Sequence, residues 1–175
     1  MKTTAIVLAA GQGTRMKSDL PKVLHKISGQ SLIAHVLNNI DRADIDETIV
    51  VLGHKGEEVA QTLPADIRIA YQYEQKGTGH AVMQAAELLD AADGDILVIC
   101  GDTPLISAET IKAMYALHKE KSAAVTVLSA VAPNPYGYGR IKRENNQVAA
   151  IVEQKDATAE EAAITEINAG TYFFA

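Results

Sequence analysis

The 175-residue chain has a single cysteine, Cys100, which excludes any disulfide within it. A lone thiol fits a reducing cytosol. One cysteine and five scattered histidines also leave no structural zinc pattern. No apolar run reaches the roughly 18 residues that a membrane span needs. The opening stretch, residues 1–8, is too short and is interrupted too soon, by Gly11 and Arg15, to read as a signal peptide. Linkers, internal repeats and low-complexity segments are missing as well. Positive charge is scarce: the net charge of −6 argues against a general nucleic-acid binder. Hydrophobic residues make up 47% and charged residues 22%, which excludes disorder and suits one domain with a large core.

The charge that is present is unevenly spread. Residues 1–30 carry Lys2, Arg15, Lys17, Lys22 and Lys26 against Asp19 alone, a net of +4, and the rest of the chain carries −10. A basic segment on an acidic body reads either as a local anion site or as a solvated loop. The hydrophobic pattern alternates between strand and helix. Strands are expected at Thr3–Ala9, Thr48–Leu52, Ile67–Tyr71, Ile96–Cys100 and Ala123–Val131. Helices are expected at Ser31–Ile40, Glu57–Leu63, Thr78–Leu89 and Ser107–Lys119, with Ser31 as N-cap of the first. Further on, Gly139–Lys142 and Val148–Val152 read as a hairpin around Glu144-Asn145-Asn146. A short helix at Ala157–Ala163 and an extended run at Ile164–Phe174 follow. The pattern predicts an α/β protein with a mixed, mostly parallel central sheet flanked by helices. The chain stops at Gly170-Thr171-Tyr172-Phe173-Phe174-Ala175, inside an apolar extended run, and is expected to be part of something longer.

Four groups of residues carry chemistry. Leu8-Ala9-Ala10-Gly11-Gln12-Gly13-Thr14-Arg15-Met16 leads from a buried strand into small residues and two glycines. Open α/β sheets bind ligands off the carboxyl ends of such strands, and small residues let the backbone approach a base or a phosphate. The spacing fits neither the dinucleotide fingerprint nor a Walker A loop, so a plain structural turn stays open. Arg15 and Lys22 add a bidentate fork and a point charge suited to phosphate, or else two solvated cations. Asp102, directly after Ile96–Gly101, can hold Mg²⁺ on nucleotide phosphates, or simply cap the turn before Thr103-Pro104. Gln75-Lys76-Gly77-Thr78-Gly79-His80 opens a helix, and Gln72 and Gln75 have amides able to read a base edge. His80 reads as a packed or solvated helix residue rather than a catalytic one. Tyr136-Gly137-Tyr138-Gly139-Arg140-Ile141, Glu153 and Asn168-Ala169-Gly170 are polar, glycine-turned segments suited to sugar hydroxyls, and Glu153 before Gln154-Lys155 reads equally as a solvated strand end.

These motifs resemble the sugar-nucleotidyltransferase (nucleoside-diphosphate-sugar pyrophosphorylase) family, through residues 8–16, Leu20-Pro21-Lys22-Val23-Leu24 and Gly101-Asp102-Thr103-Pro104-Leu105. Residues 18–25, 75–81, 137–141 and 151–157 are similar to its bacterial N-acetylglucosamine-1-phosphate uridylyltransferase branch, the N-terminal domain of a bifunctional enzyme. The resemblance runs from residue 3 to 175. It implies a Rossmann-like nucleotidyltransferase fold over residues 1–175, C-terminally truncated and without the acetyltransferase domain. The implied reaction is Mg²⁺-dependent: UTP and N-acetylglucosamine 1-phosphate give UDP-N-acetylglucosamine and pyrophosphate. Its product feeds peptidoglycan and lipopolysaccharide synthesis in the cytoplasm.

The resemblance also assigns roles. Leu8, Ala9, Ala10 and Gly11, with Gln72, Gly77 and Thr78, would hold uridine, and Arg15 and Lys22 would meet the phosphates. Asp102 would bind the metal, and Gly139, Glu153 and Asn168 would hold the amino sugar. A second metal ligand, an asparagine, lies further along the family's domain than residue 175. Trimer contacts belong to the missing domain, so a monomer or weak oligomer is expected, with no nucleic-acid or membrane partner. The alternatives are transfer to another sugar phosphate, a module that binds nucleotide or sugar nucleotide with little turnover, and a regulatory protein that does neither.

Overall fold

The computed structural model describes residues 2–13, 16–89 and 93–175, with Asp93 by its backbone alone. The chain forms two compact units, Met1–Thr126 with Tyr172–Ala175, and Val127–Thr171.

The first unit is built on parallel strands. β1 (Lys2–Ala9) lies between β4 (Glu47–Leu52) and β6 (Asp93–Cys100), and β5 (Arg68–Tyr71) extends the sheet beyond β4. Residues Ile6, Ile49, Val51 and Val98 face Ala81 and Ala85 in one apolar cluster. The alternate residues Ala5, Val7, Val50, Leu97 and Ile99 point the other way and are equally buried. Both faces are therefore covered, which explains why these strands read as unbroken apolar runs. Tyr172, Phe173 and Phe174 pair antiparallel with Val98, Leu97 and Ile96. The sheet is thus mixed and mostly parallel in this unit, as expected.

Helix α1 (Leu32–Arg42) buries Leu32, Ile33, Val36 and Ile40. Ser31 caps it, its Oγ accepting from the Ala34 N–H at 3.3 Å. Helix α4 (Ala108–Glu120) starts the same way, on Ser107 and the Thr110 N–H at 3.2 Å. Two helices of this unit are shorter than the sequence suggests. α2 (Gly56–Ala60) gives way to turns at Thr62 and Leu63 before Pro64. α3 (Thr78–Gln84) ends at Ala85 and passes into a 3-10 turn, Ala86–Leu88. A small hairpin, β2 (Lys26–Ile27) and β3 (Gln30–Ser31), turns on Ser28 and Gly29, both with positive φ. Two-residue strands are too short to show an alternating pattern, so the sequence gives no sign of it beyond Ser-Gly.

β7 (Val125–Val131) leads into the second unit. There β8 (Arg140–Glu144) and β9 (Gln147–Val152) form the expected hairpin. Its turn residues Asn145 and Asn146 have φ of 50° and 65°, the geometry that asparagine tolerates and that matches strand twist. α5 (Ala159–Ala162) carries a complete capping box between Thr158 and Glu161. β10 (Glu166–Phe174) ends the chain and places Ile167 opposite Arg140.

Candidate functional site

Parallel strands share one carboxyl edge, so the loops after β1, β4, β5 and β6 emerge together. The structure brings the described sequence-predicted residues of the first unit to this edge. Leu8 and Ala9 end β1, and the Gly101 N–H donates to the Leu8 carbonyl at 2.9 Å. Ala10 is buried and Gly11 exposed. Beneath Ala10 runs Gly53, where a Cβ would lie 2.7 Å from the Ala10 carbonyl oxygen and 2.9 Å from its Cβ. Only glycine fits there, a requirement invisible in the sequence because the two residues are 43 positions apart.

Gln75 reaches across to the same loop, its Nε2 donating to the Ala10 carbonyl at 3.0 Å. Gln72 is 4% exposed. Its backbone N–H donates to Leu52, and its Nε2 contacts the Gly77 carbonyl at 3.1 Å and His80 Nδ1 at 2.9 Å. The amide hydrogens of Gln72 are spent internally, which leaves its Oε1 to receive a donor such as a base N–H. His80, half-buried, also meets Gln84 through its Nε2 at 3.4 Å. Gly77 has a φ of 96°, open to glycine, and Thr78 is exposed at the start of α3.

Lys22 and Asp102, 80 positions apart in sequence, form an ion pair. The 3-10 turn Lys22–Leu24 sets this up: it buries Val23 against Gly101, at 3.4 Å from where a Cβ on that glycine would be. On its other side Lys22 packs against Gly13, whose missing side chain would strike Lys22 Cβ at 2.7 Å. The pair thus sits off the ends of β1 and β6, half-exposed to solvent. A single carboxylate suits Mg²⁺, which keeps several waters and takes most other ligands from phosphates. Arg15 lies outside the described residues. Cys100, next to this pair, has its thiol pushed up to about 11 by burial and by Asp102. It is a thiol, not a thiolate, at neutral pH, and no nucleophile.

In the second unit Gly139, Glu153 and Asn168 converge. The Asn168 N–H donates to the Gly139 carbonyl at 2.9 Å. A Cβ on Gly139 would lie 3.1 Å from Glu153 Oε1 and 3.6 Å from Asn168 Cβ. Asn168 Oδ1 accepts from the Gly170 N–H at 2.9 Å, which fixes its amide. Glu153 is exposed and carries a carboxylate able to accept from hydroxyls. A cavity of about 490 Å³ lies elsewhere, between Ile45, Glu47, Pro64 and Arg68 at the amino ends of β4 and β5. It has no glycine loop and no strand carboxyl end, so size does not mark the site.

A parallel sheet with a basic, glycine-lined loop and one acidic strand end is the layout in which an open α/β sheet binds a ligand off its strand carboxyl ends. The model of the MobA-like NTP transferase domain matches residues 5–163, and the chain belongs to that family. It is 54% identical over 175 residues to the bifunctional protein GlmU of Lactococcus lactis subsp. lactis, covering 99% of this chain. It is 51% identical over 174 residues to the bifunctional protein GlmU of Bacillus licheniformis. The chain spans 38% of the length of each of these relatives. Among solved structures, UDP-glucose pyrophosphorylase complexed with UDP-glucose superposes with a TM-score of 0.78 at 20% identity, over 99% of this chain and 76% of that one. A putative glucose-1-phosphate thymidylyltransferase from Bacillus anthracis gives 0.77 at 18% identity, over 98% and 71%. These likenesses establish the nucleotidyltransferase fold.

Proposed function

We propose that residues 1–175 are the nucleotidyltransferase part of a protein that makes UDP-N-acetylglucosamine from UTP and N-acetylglucosamine 1-phosphate. The observation that carries this reading is the Lys22–Asp102 pair at the carboxyl ends of β1 and β6, beside the Ala10–Gly11 loop. A cation and a carboxylate that neutralise each other there are the two charges a metal-bound triphosphate needs. Its phosphates would take Lys22, and its cation would take Asp102. Magnesium, when bound, would neutralise charge on the phosphates. Leu8 to Gly11, Gln72, Gly77 and Thr78 would receive the uridine. Gln72 Oε1 would accept its ring N–H, since the amide hydrogens of Gln72 are already engaged.

Gly139, Glu153 and Asn168 would hold the amino sugar. A phosphate oxygen of the sugar phosphate attacks the α-phosphorus of UTP in line, the bond from that phosphorus to the bridging oxygen breaks, and pyrophosphate leaves. No protein nucleophile takes part, in keeping with the protonated Cys100. Lys22 and Arg15 orient the phosphates and stabilise the charge that develops on them. The proposed setting is the cytoplasm, which the lone Cys100 suits, and the proposed state is a monomer or weak oligomer. No helix among the described residues is long and apolar enough to cross a membrane.

The test is pyrophosphate release with Mg²⁺, N-acetylglucosamine 1-phosphate and, in parallel, UTP, CTP, ATP and GTP. Release with UTP alone is expected, and Arg15→Ala or Lys22→Ala should lower it by at least about 100-fold, as for loss of one preorganised donor. Near-normal rates in both variants would remove their assigned role. Binding of UDP-N-acetylglucosamine without release from any nucleotide would instead favour a binding module.

A further inference from the structure

Arg140 is 1% exposed, the largest fully buried side chain among the described residues. Among the described residues no carboxylate pairs with it. Its guanidinium donates instead to neutral acceptors: the Tyr138 carbonyl, Gln154 Oε1 at 2.7 Å and the Ala162 carbonyl at 3.3 Å. Its Nε is buried without a hydrogen-bond partner. Burying an unpaired cation is costly, and an apolar side chain of similar volume would be easier to accommodate. What such a side chain could not supply is a rigid planar fork reaching three acceptors on separate segments.

Those segments frame Gly139. Tyr138 precedes it and Gln154 follows Glu153. Gln154 Oε1 also accepts from the Gly137 N–H at 3.0 Å. Arg140 and Gln154 therefore tie the 137–139 turn to the 153–154 turn from beneath. The β8–β9 ladder ends with Arg140 opposite Val152, so Gly139 and Glu153 lie just beyond its last pair, and the tie holds the two turns there, where a Cβ on Gly139 would come within 3.1 Å of Glu153 Oε1.

We infer that Arg140, acting with Gln154, is a positioning residue for amino-sugar recognition. It spends its buried charge on holding Gly139 and Glu153 in register. This rests on the proposed role of Gly139, Glu153 and Asn168.

The experiment compares two ligands by calorimetric titration with Mg²⁺: UDP-N-acetylglucosamine, which carries the amino sugar, and UTP, which does not. Arg140→Met and Gln154→Leu should each weaken UDP-N-acetylglucosamine at least about 10-fold, the worth of a lost hydrogen-bonded tie, with UTP within about 2-fold. Arg140→Lys should fall between, because an ammonium cannot span the three acceptors. Should Arg140→Met fail to fold, Gln154→Leu decides, since it cuts the tie at an incompletely buried residue. Equal weakening of both ligands by a folded Gln154→Leu protein, or none of either, overturns the inference. Glu153→Gln separates the two levels. If it weakens the sugar nucleotide while Gln154→Leu does not, the positioning role alone fails. If Glu153→Gln binds normally, the amino-sugar reading fails and the inference with it.

Discussion

In the first unit Ile6, Ile49, Val50, Val51 and Leu97 are wholly inaccessible, packed on both faces of a parallel sheet. In the second unit, β9 is exposed along nearly its whole length and the largest buried side chain is an arginine. Directional polar contacts hold its turns and edges: Arg143 grips Glu166 with two donors, Lys142 meets Glu161, and Glu161 closes the capping box on Thr158. The contrast matches what each unit is proposed to hold. A nucleotide is gripped by backbone at strand ends, so the strands beneath must not move, and apolar packing supplies that rigidity. A sugar is read by side-chain and backbone polar groups at turns, and those turns are held by directional hydrogen bonds.

The contrast predicts where stability resides. The largest loss is expected from Ile49→Ala, which removes a buried branched side chain at the centre of the sheet. It should cost about 2–5 kcal/mol in a urea titration of the whole chain. A cost below 1 kcal/mol would mean that the sheet is not the rigid half.

Next comes Glu166→Gln. Hydrogen bonds from Arg143 and then Ser129 hold the Glu166 carboxyl down at about 2, below the ordinary carboxylate value of 4.5. A depressed folded value means that the stabilisation is complete above about pH 4.5 and is lost as pH falls toward about 2. At pH 7 the variant should be less stable by about 1–2 kcal/mol, after discounting for partial exposure. The difference should close on acidification. A difference independent of pH would show that packing, not charge, is at stake.

The smallest effect belongs to Val148→Ser on exposed β9, expected within about 0.5 kcal/mol of the parent protein. A loss of several kcal/mol there would erase the distinction between the units.

Much of this was legible beforehand. Each β-strand expected in the parallel sheet exists, because a strand buried on both faces must be apolar at every position. Ser31 and Ser107 mark their helix starts through contacts only three residues long. The Asn145-Asn146 turn is equally local. The motifs around Gly11, Gly77 and Asp102 lie at the ends of β1, β6 and the start of α3, as their flanking patterns implied. The ends of α2 and α3 were not legible: apolar residues continue through Leu63 and Leu89, but turns and a 3-10 segment carry them. The contacts of Gly13, Gly53, Arg140 and Gln154 were not legible, since nothing near them in sequence shows what they touch.

The sequence by itself determined the elements, their caps and the chemical types available at the strand ends. These depend on period, side-chain branching and hydrogen bonds closed within a few residues. Tertiary structure decided the rest. It paired Lys22 with Asp102, laid Gly53 under Ala10 and brought Gln75 to the Ala10 carbonyl, across separations of 80, 43 and 65 residues. It also put Arg140 in the interior, against the ordinary rule that arginine stays at the surface. Contacts over such separations carry no local signature, because their free energy arises only after the sheet has brought the strand ends together.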